Sequence, residues 1–178
     1  MNNMIKEYID KYLVEKKNIQ EYLNKCRSVG LIPNKVLEFI KKNGFDYTQI
    51  NVGEVWPATE WLLDFGDIKE DDFEISYKCR LMVSKLVPLY YLQHEYETKN
   101  LDKNAVSPIL DGFDTQPYTR VQAEFEDIVN SIYNPLGYMR LSYGELSYVI
   151  CGLEKNTDIF GSQVTIESIF FRDFLELC

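Results

Sequence analysis

The chain contains one histidine, in the stretch V-P-L-Y-Y-L-Q-H-E-Y-E-T from Val87 to Thr98, and a glutamate follows it directly. An imidazole beside a carboxylate is the minimal general acid–base couple, because histidine titrates near neutrality without perturbation. The alternation of the same stretch argues against that couple. In a strand, successive side chains point to opposite faces, so His94 shares a face with Tyr90, Leu92 and Tyr96 while Gln93 and Glu95 face away. A carboxylate partner for His94 then has to come from another strand. A metal site built on one histidine needs several carboxylates or thiolates converging on it, and no spacing supplies them.

The other chemistries have less to work with. Cys26, Cys79, Cys151 and Cys178 form no C-x-x-C pair and sit in no catalytic signature. They read as reduced thiols of a cytoplasmic protein. No G-x-S-x-G elbow occurs, and the nine glycines build neither phosphate-binding loop. Twenty-eight acids supply many carboxylate pairs of the kind glycosidases use, so no single pair stands out. Asp111 and Asp114 in L-D-G-F-D do not reproduce a calcium loop and read as turn residues. No catalytic residue, cofactor or metal ligand is assigned.

What remains is acidic and aromatic. Residues 1–45 carry nine Lys/Arg against five Asp/Glu, whereas residues 46–178 carry ten against 23, a local charge of -13. Such a body repels phosphate backbones and attracts basic proteins, so nucleic acid is excluded as a partner and a basic protein is favoured. No apolar run is long enough to span a bilayer, which excludes a membrane role. The acids concentrate at Asp64, Asp67, Glu70, Asp71 and Asp72 after Trp61, and again at Asp111 and Asp114 around Phe113. Aromatic anchors rimmed by charge are what a protein-binding surface needs.

The elements that position these residues follow from periodicity. Ile5, Tyr8, Ile9, Tyr12, Leu13, Ile19, Tyr22, Leu23 and Cys26 mark one face of a long helix that stops at Gly30. Pro33 opens a second helix burying Val36, Leu37 and Ile40 and ending at Asn43–Gly44, so residues 1–45 form a helical hairpin. A short strand follows near Phe45, then a brief helix A-T-E-W-L-L-D between Pro57 and Gly66, then an acidic loop. Phe73, Ile75, Tyr77, Cys79, Leu81 and Val83 alternate with polar residues, predicting a strand that pairs with Leu86–Glu97. Thr119 starts a helix with the stripe Val121, Phe125, Ile128, Val129 and Ile132, ended by Asn134–Pro135. Gly137–Leu141 reads as a strand. Ser142 and Glu145 form a capping box for a helix holding Leu146, Val149 and Ile150. The tail is a helix capped by Thr165 or a β segment. These elements predict one α+β domain over residues 1–178, its helices packed on an antiparallel sheet centred on residues 72–98.

Three stretches, F-E-I-S-Y-K-C-R-L-M-V-S-K-L-V-P-L-Y-Y-L, G-Y-M-R-L-S-Y and V-T-I-E-S-I-F-F, carry a resemblance extending over residues 70–174. In style the chain resembles the small acidic immunity proteins of bacterial polymorphic and contact-dependent toxin systems. The resemblance implies a non-enzymatic cytosolic inhibitor that binds and blocks a toxin, often a basic nuclease, and it transfers no individual binding residue. The expected function is therefore partner neutralisation. The competing expectations are a small hydrolase-like enzyme using His94 with carboxylates from other strands, and a phage or mobile-element accessory protein.

Overall fold

The structure, a computed structural model, describes residues 3–14, 18–51, 55–102, 104, 110–155 and 162–172. The side chains of Leu13 and Cys151 and the whole of Cys178 lie outside what is described. The strand order is antiparallel from β1 (Asp46–Ile50) through β2 (Ala58–Glu70), β3 (Phe73–Ser84) and β4 (Leu89–Asn100) to β5 (Gly112–Asp114). A sixth strand, β6 (Met139–Leu141), pairs in parallel with the start of β4. A separate two-stranded sheet joins β7 (Val149–Lys155) to β8 (Ser162–Thr165). The α+β class expected from the sequence is the class observed.

Among the described residues six α-helices flank the strands: α1 (Asn3–Ile9), α2 (Ile19–Cys26), α3 (Asn34–Asn43), α4 (Arg120–Tyr133), α5 (Tyr143–Leu146) and α6 (Ile166–Phe170). A π turn over Asp10–Val14 interrupts the expected single N-terminal helix, adding a residue per turn and rotating the apolar stripe. Ile5, Ile9, Tyr12, Tyr22 and Cys26 are buried as the spacing predicts, but Ile19 is exposed. The N-terminal helices do not form a hairpin on one side of the sheet. Alternation in β3 and β4 separates two cores. Leu81, Val83, Tyr90 and Leu92 face α3 and α4 on what we term the front. Met82, Leu89 and Tyr91 face α1, α2 and α6 on the back. Helix periodicity identifies an apolar stripe, but nothing in it says which side of a sheet the stripe will meet.

The segment expected to be a brief helix is the long strand β2. Trp61, Leu62 and Phe65 carry helical spacing, yet Ala58, Thr59, Glu60 and Trp61 are all buried because this end of β2 is covered on both faces. A strand buried on both faces loses polar–apolar alternation, which is its only sequence signature. The expected acidic loop is the continuation of β2 through Glu70, and only Asp71–Asp72 turn the chain into β3. Val149 and Ile150, expected in the helix after Ser142, belong instead to β7, with α5 ending at Leu146.

The capping residues are where the sequence placed them. Thr119 accepts from the Gln122 backbone N–H, Ser142 from that of Glu145 and Thr165 from that of Ser168. Gly30 has a different role from the helix stop expected of it. A methyl group there would stand 1.9 Å from Thr59 Oγ1 and 2.7 Å from its Cβ, so the loop after α2 needs glycine to cross β2. Gly30→Ala should cost about 1–3 kcal/mol through overpacking. Urea unfolding checks this, with a change below about 0.5 kcal/mol counting against the close approach.

Candidate functional site

His94 and Glu95 point to opposite faces, as alternation requires. His94 is 0% exposed on the front, opposite Cys79 on β3. Its Nδ1 lies 2.9 Å from Cys79 Sγ and its Nε2 lies 2.8 Å from Glu126 Oε2. Glu126 comes from α4 and not from another strand, so the expected source of the carboxylate is corrected. The Arg140 guanidinium, on β6, donates to both Glu126 oxygens at 2.6 and 3.1 Å and to the Thr115 carbonyl at 2.7 Å.

The protons of this chain of groups follow from its ends. An ionised carboxylate only accepts, so Nε2 carries the ring proton toward Glu126 and Nδ1 accepts from the thiol. Burial holds His94 below the ordinary histidine value, opposed by its bond to Glu126. Burial raises Glu126, but hydrogen bonds from Arg140 and His94 outweigh it and keep the carboxyl below its usual range. Burial pushes the Cys79 thiol well up, with Glu95 and Glu126 adding to the effect. The order thiol, imidazole, carboxylate is that of a nucleophilic triad, but nucleophilic attack requires a thiolate in reach of substrate. Cys79 and His94 are both fully buried. Cys79 and Glu126 also occupy opposite ring nitrogens and cannot share one metal ion. Peptide-resolved thiol labelling should therefore leave Cys79 unmodified in the folded chain and modify it only as fast as the chain unfolds. Labelling within seconds under native conditions would contradict this.

The accessible polar surface is on the back of the sheet, beyond the reach of α1 and α2. Register places Asp64, Lys78, Glu95 and Phe113 in one row across β2, β3, β4 and β5. The next row is Leu62, Arg80 and Gln93. An open groove of about 350 Å³ lies here, lined by Lys78, Arg80, Gln93, Glu95, Glu97, Asp111 and Phe113 among others. Its cations are engaged. Lys78 donates to Glu97 at 2.9 Å, and Arg80 donates to Glu95 at 3.0 Å and to the buried Glu60. Glu60, 1% exposed, also faces Arg172 at 3.5 Å. Tyr91 continues the network by donating to Gln93, which donates to Glu95.

The expected binding residues separate into three places. Asp64 sits in the sheet opposite Lys78, and Asp67, Glu70, Asp71 and Asp72 occupy the exposed end of the β2–β3 hairpin. Asp111, just before β5, and Phe113 on β5 line the groove, whereas Asp114 ends β5 opposite His94 and does not. Phe113 is 52% exposed and its ring contacts that of Tyr143 at 5.5 Å, itself 54% exposed and three residues from Leu146 on α5. Trp61 is corrected. It is 2% exposed in the front core beneath α3, because β2 is a central strand and not a surface helix. Reasoning from sequence missed Lys78, Arg80 and Glu97, whose common face becomes visible only once β3 and β4 are placed in register.

No family model, curated protein or solved structure matches the chain. Among the described residues no helix is long and apolar enough to cross a membrane. His94 is fully buried, whereas the acidic hairpin end, the groove and the Phe113–Tyr143 pair are exposed.

Proposed function

We propose that the chain is a non-enzymatic binding protein that neutralises a basic protein partner, as the immunity proteins it resembles in style do. The observation that carries the reading is the exposed Phe113–Tyr143 pair, with Asp111, Asp114 and Glu145 two residues or fewer from one of the rings in sequence. Rings of this size supply contact area with little conformational entropy to lose, and the carboxylates around them select for cationic partners. The groove beside Phe113 adds Glu95 and Glu97, with Lys78 and Arg80 already paired to carboxylates. A toxin nuclease is the favoured partner class, since its substrate-binding surface is itself basic and an acidic plug competes with phosphate there.

The hydrolase-like alternative draws on the Cys79–His94–Glu126 geometry and is disfavoured by its burial. The test is direct binding of the full chain to the purified product of the neighbouring gene, by calorimetry. Phe113→Ser should weaken the complex at least tenfold, or about 1.4 kcal/mol, while His94→Gln leaves it unchanged among correctly folded variants. Failure of every basic candidate to bind would reject the reading. Self-association in place of partner binding, seen by light scattering, would favour the accessory-protein alternative.

A further inference from the structure

The front of the sheet is only partly covered. Strands β3 and β4 are 12 residues long, roughly 40 Å each, whereas the 14 residues of α4 span only about 21 Å. Gln122 marks where the helix layer begins. Its side-chain amide donates to the carbonyls of Lys78 and Glu95, pinning the N-terminal turn of α4 over that row. From there α4 runs back toward Tyr90, whose hydroxyl donates to Asn130 and whose ring stacks on Tyr133. Among the described residues, no helix lies over the front rows beyond Lys78 and Glu95. The first of them, Tyr77 and Tyr96, is met by the Tyr118 ring; beyond it come Ile68, Ile75 and Thr98, whose hydroxyl donates to the Leu110 carbonyl, then Glu70, Phe73 and Asn100. Ile68 is 53% exposed and Phe73 38% exposed.

Charge is segregated across this ribbon. Lys69 and Lys99 alternate to the back, where both pair with Glu74 at 3.0 and 3.8 Å. Lys78 also points back, toward Glu97. The two front rows hold no lysine or arginine, and Glu70, Asp71 and Asp72 border them at the turn. The free edge of β2 is a poor template for an added strand. A bulge between Asp64 and Asp67, with Gly66 at φ +85°, twists the edge out of register.

We propose that this uncovered front face seats a basic amphipathic helix supplied by the partner, extending the layer that α3 and α4 begin. The proposal rests on the reading of the chain as a binder of basic protein, and it adds the surface and the kind of element that docks there. Three strands span about 10 Å, the diameter of one helix, and the two exposed rows lie about 7 Å apart along the strands, room for one to two of its turns. The apolar stripe of the incoming helix covers Ile68, Phe73 and Ile75, and its lysines and arginines meet the carboxylates at the turn.

The probe is a stapled amphipathic helix of leucine and lysine, with the same peptide carrying glutamate for lysine as its control. Both are titrated into the full chain and followed by backbone amide shifts. The lysine peptide should bind, shift the amides around Ile68, Phe73 and Ile75, and weaken at least tenfold by about 0.5 M salt. The glutamate peptide should not bind. The double variant Ile68→Ser, Phe73→Ser should lose at least tenfold in affinity. As both replaced residues are already part-exposed, an unchanged melting transition confirms that the double variant is folded. Shifts centred on Phe113 would overturn the proposed surface while leaving the reading of a basic partner intact. Equal binding of the two peptides would overturn the charge argument. No binding of the lysine peptide anywhere, or dimerisation through Ile68 and Phe73, would overturn the proposal outright.

Discussion

Replacing Glu126 with alanine should lower the unfolding free energy by about 3 kcal/mol, a large share of the 5–15 kcal/mol typical of a domain. The carboxylate accepts from His94 Nε2 and from both terminal nitrogens of Arg140, so its removal strands a buried ring N–H and a half-buried guanidinium together. Glu126→Gln should cost less, because the amide oxygen still accepts from one of the two donors. Urea denaturation of the three proteins at neutral pH makes the comparison, and a loss under about 1 kcal/mol for alanine would show the network to be dispensable. The same groups set the acid limit of the fold. His94 is held below its ordinary value by burial, so as pH falls below about 6.5 the unfolded chain takes up a proton that the folded chain refuses. Stability therefore falls with pH from that point down to the folded value. Glu126, held low by Arg140 and His94 against the effect of burial, adds stability above about 4.5 that is lost as pH falls through its own folded value. Asp114 favours the charged ring and Arg140 opposes it, so the two partly offset each other around His94. With one histidine in the chain, His94→Gln should remove the loss that begins below about pH 6.5 and leave the loss that comes from Glu126.

The second large effect concerns association. Changing Asp67, Glu70 and Asp72 to lysine should slow association with a basic partner by roughly 100-fold at low salt, and by much less at about 0.5 M. These side chains are exposed at the hairpin end and carry none of the core, so the melting transition should hold. Asp71 is left alone because it adopts a left-handed backbone at φ 52° and its replacement would strain the turn. Stopped-flow association rates provide the readout. An unchanged rate would move the electrostatic footprint away from this end of the sheet.

The legible and illegible parts of the fold divide along physical lines. Strands β3 and β4 were visible because their distal halves have one wet face, and the caps at Thr119, Ser142 and Thr165 because they depend on residues three apart. Strand β2 was hidden because both faces of Ala58–Trp61 are covered, which left the helical spacing of Trp61, Leu62 and Phe65 as a false signal. Leu146, Val149 and Ile150 imitated a helix stripe in the same way where the chain passes from α5 into β7. At the candidate site, alternation alone separated His94 from Glu95. Glu126, 32 residues from His94, could not be found, since its contact depends on where α4 crosses the sheet. The acids were in view, yet which of them line a surface depended on register, which buried Trp61 and brought Phe113 beside Glu95.

The central claim, that an acidic and aromatic surface binds a basic protein, is tested most directly by a salt titration of the complex with the neighbouring gene's product. Affinity should fall at least tenfold between about 0.05 and 0.5 M salt, and Phe113→Ser should lower it at every salt concentration without changing the slope. Binding that ignores both salt and Phe113, or no binding to any basic candidate, would contradict the account.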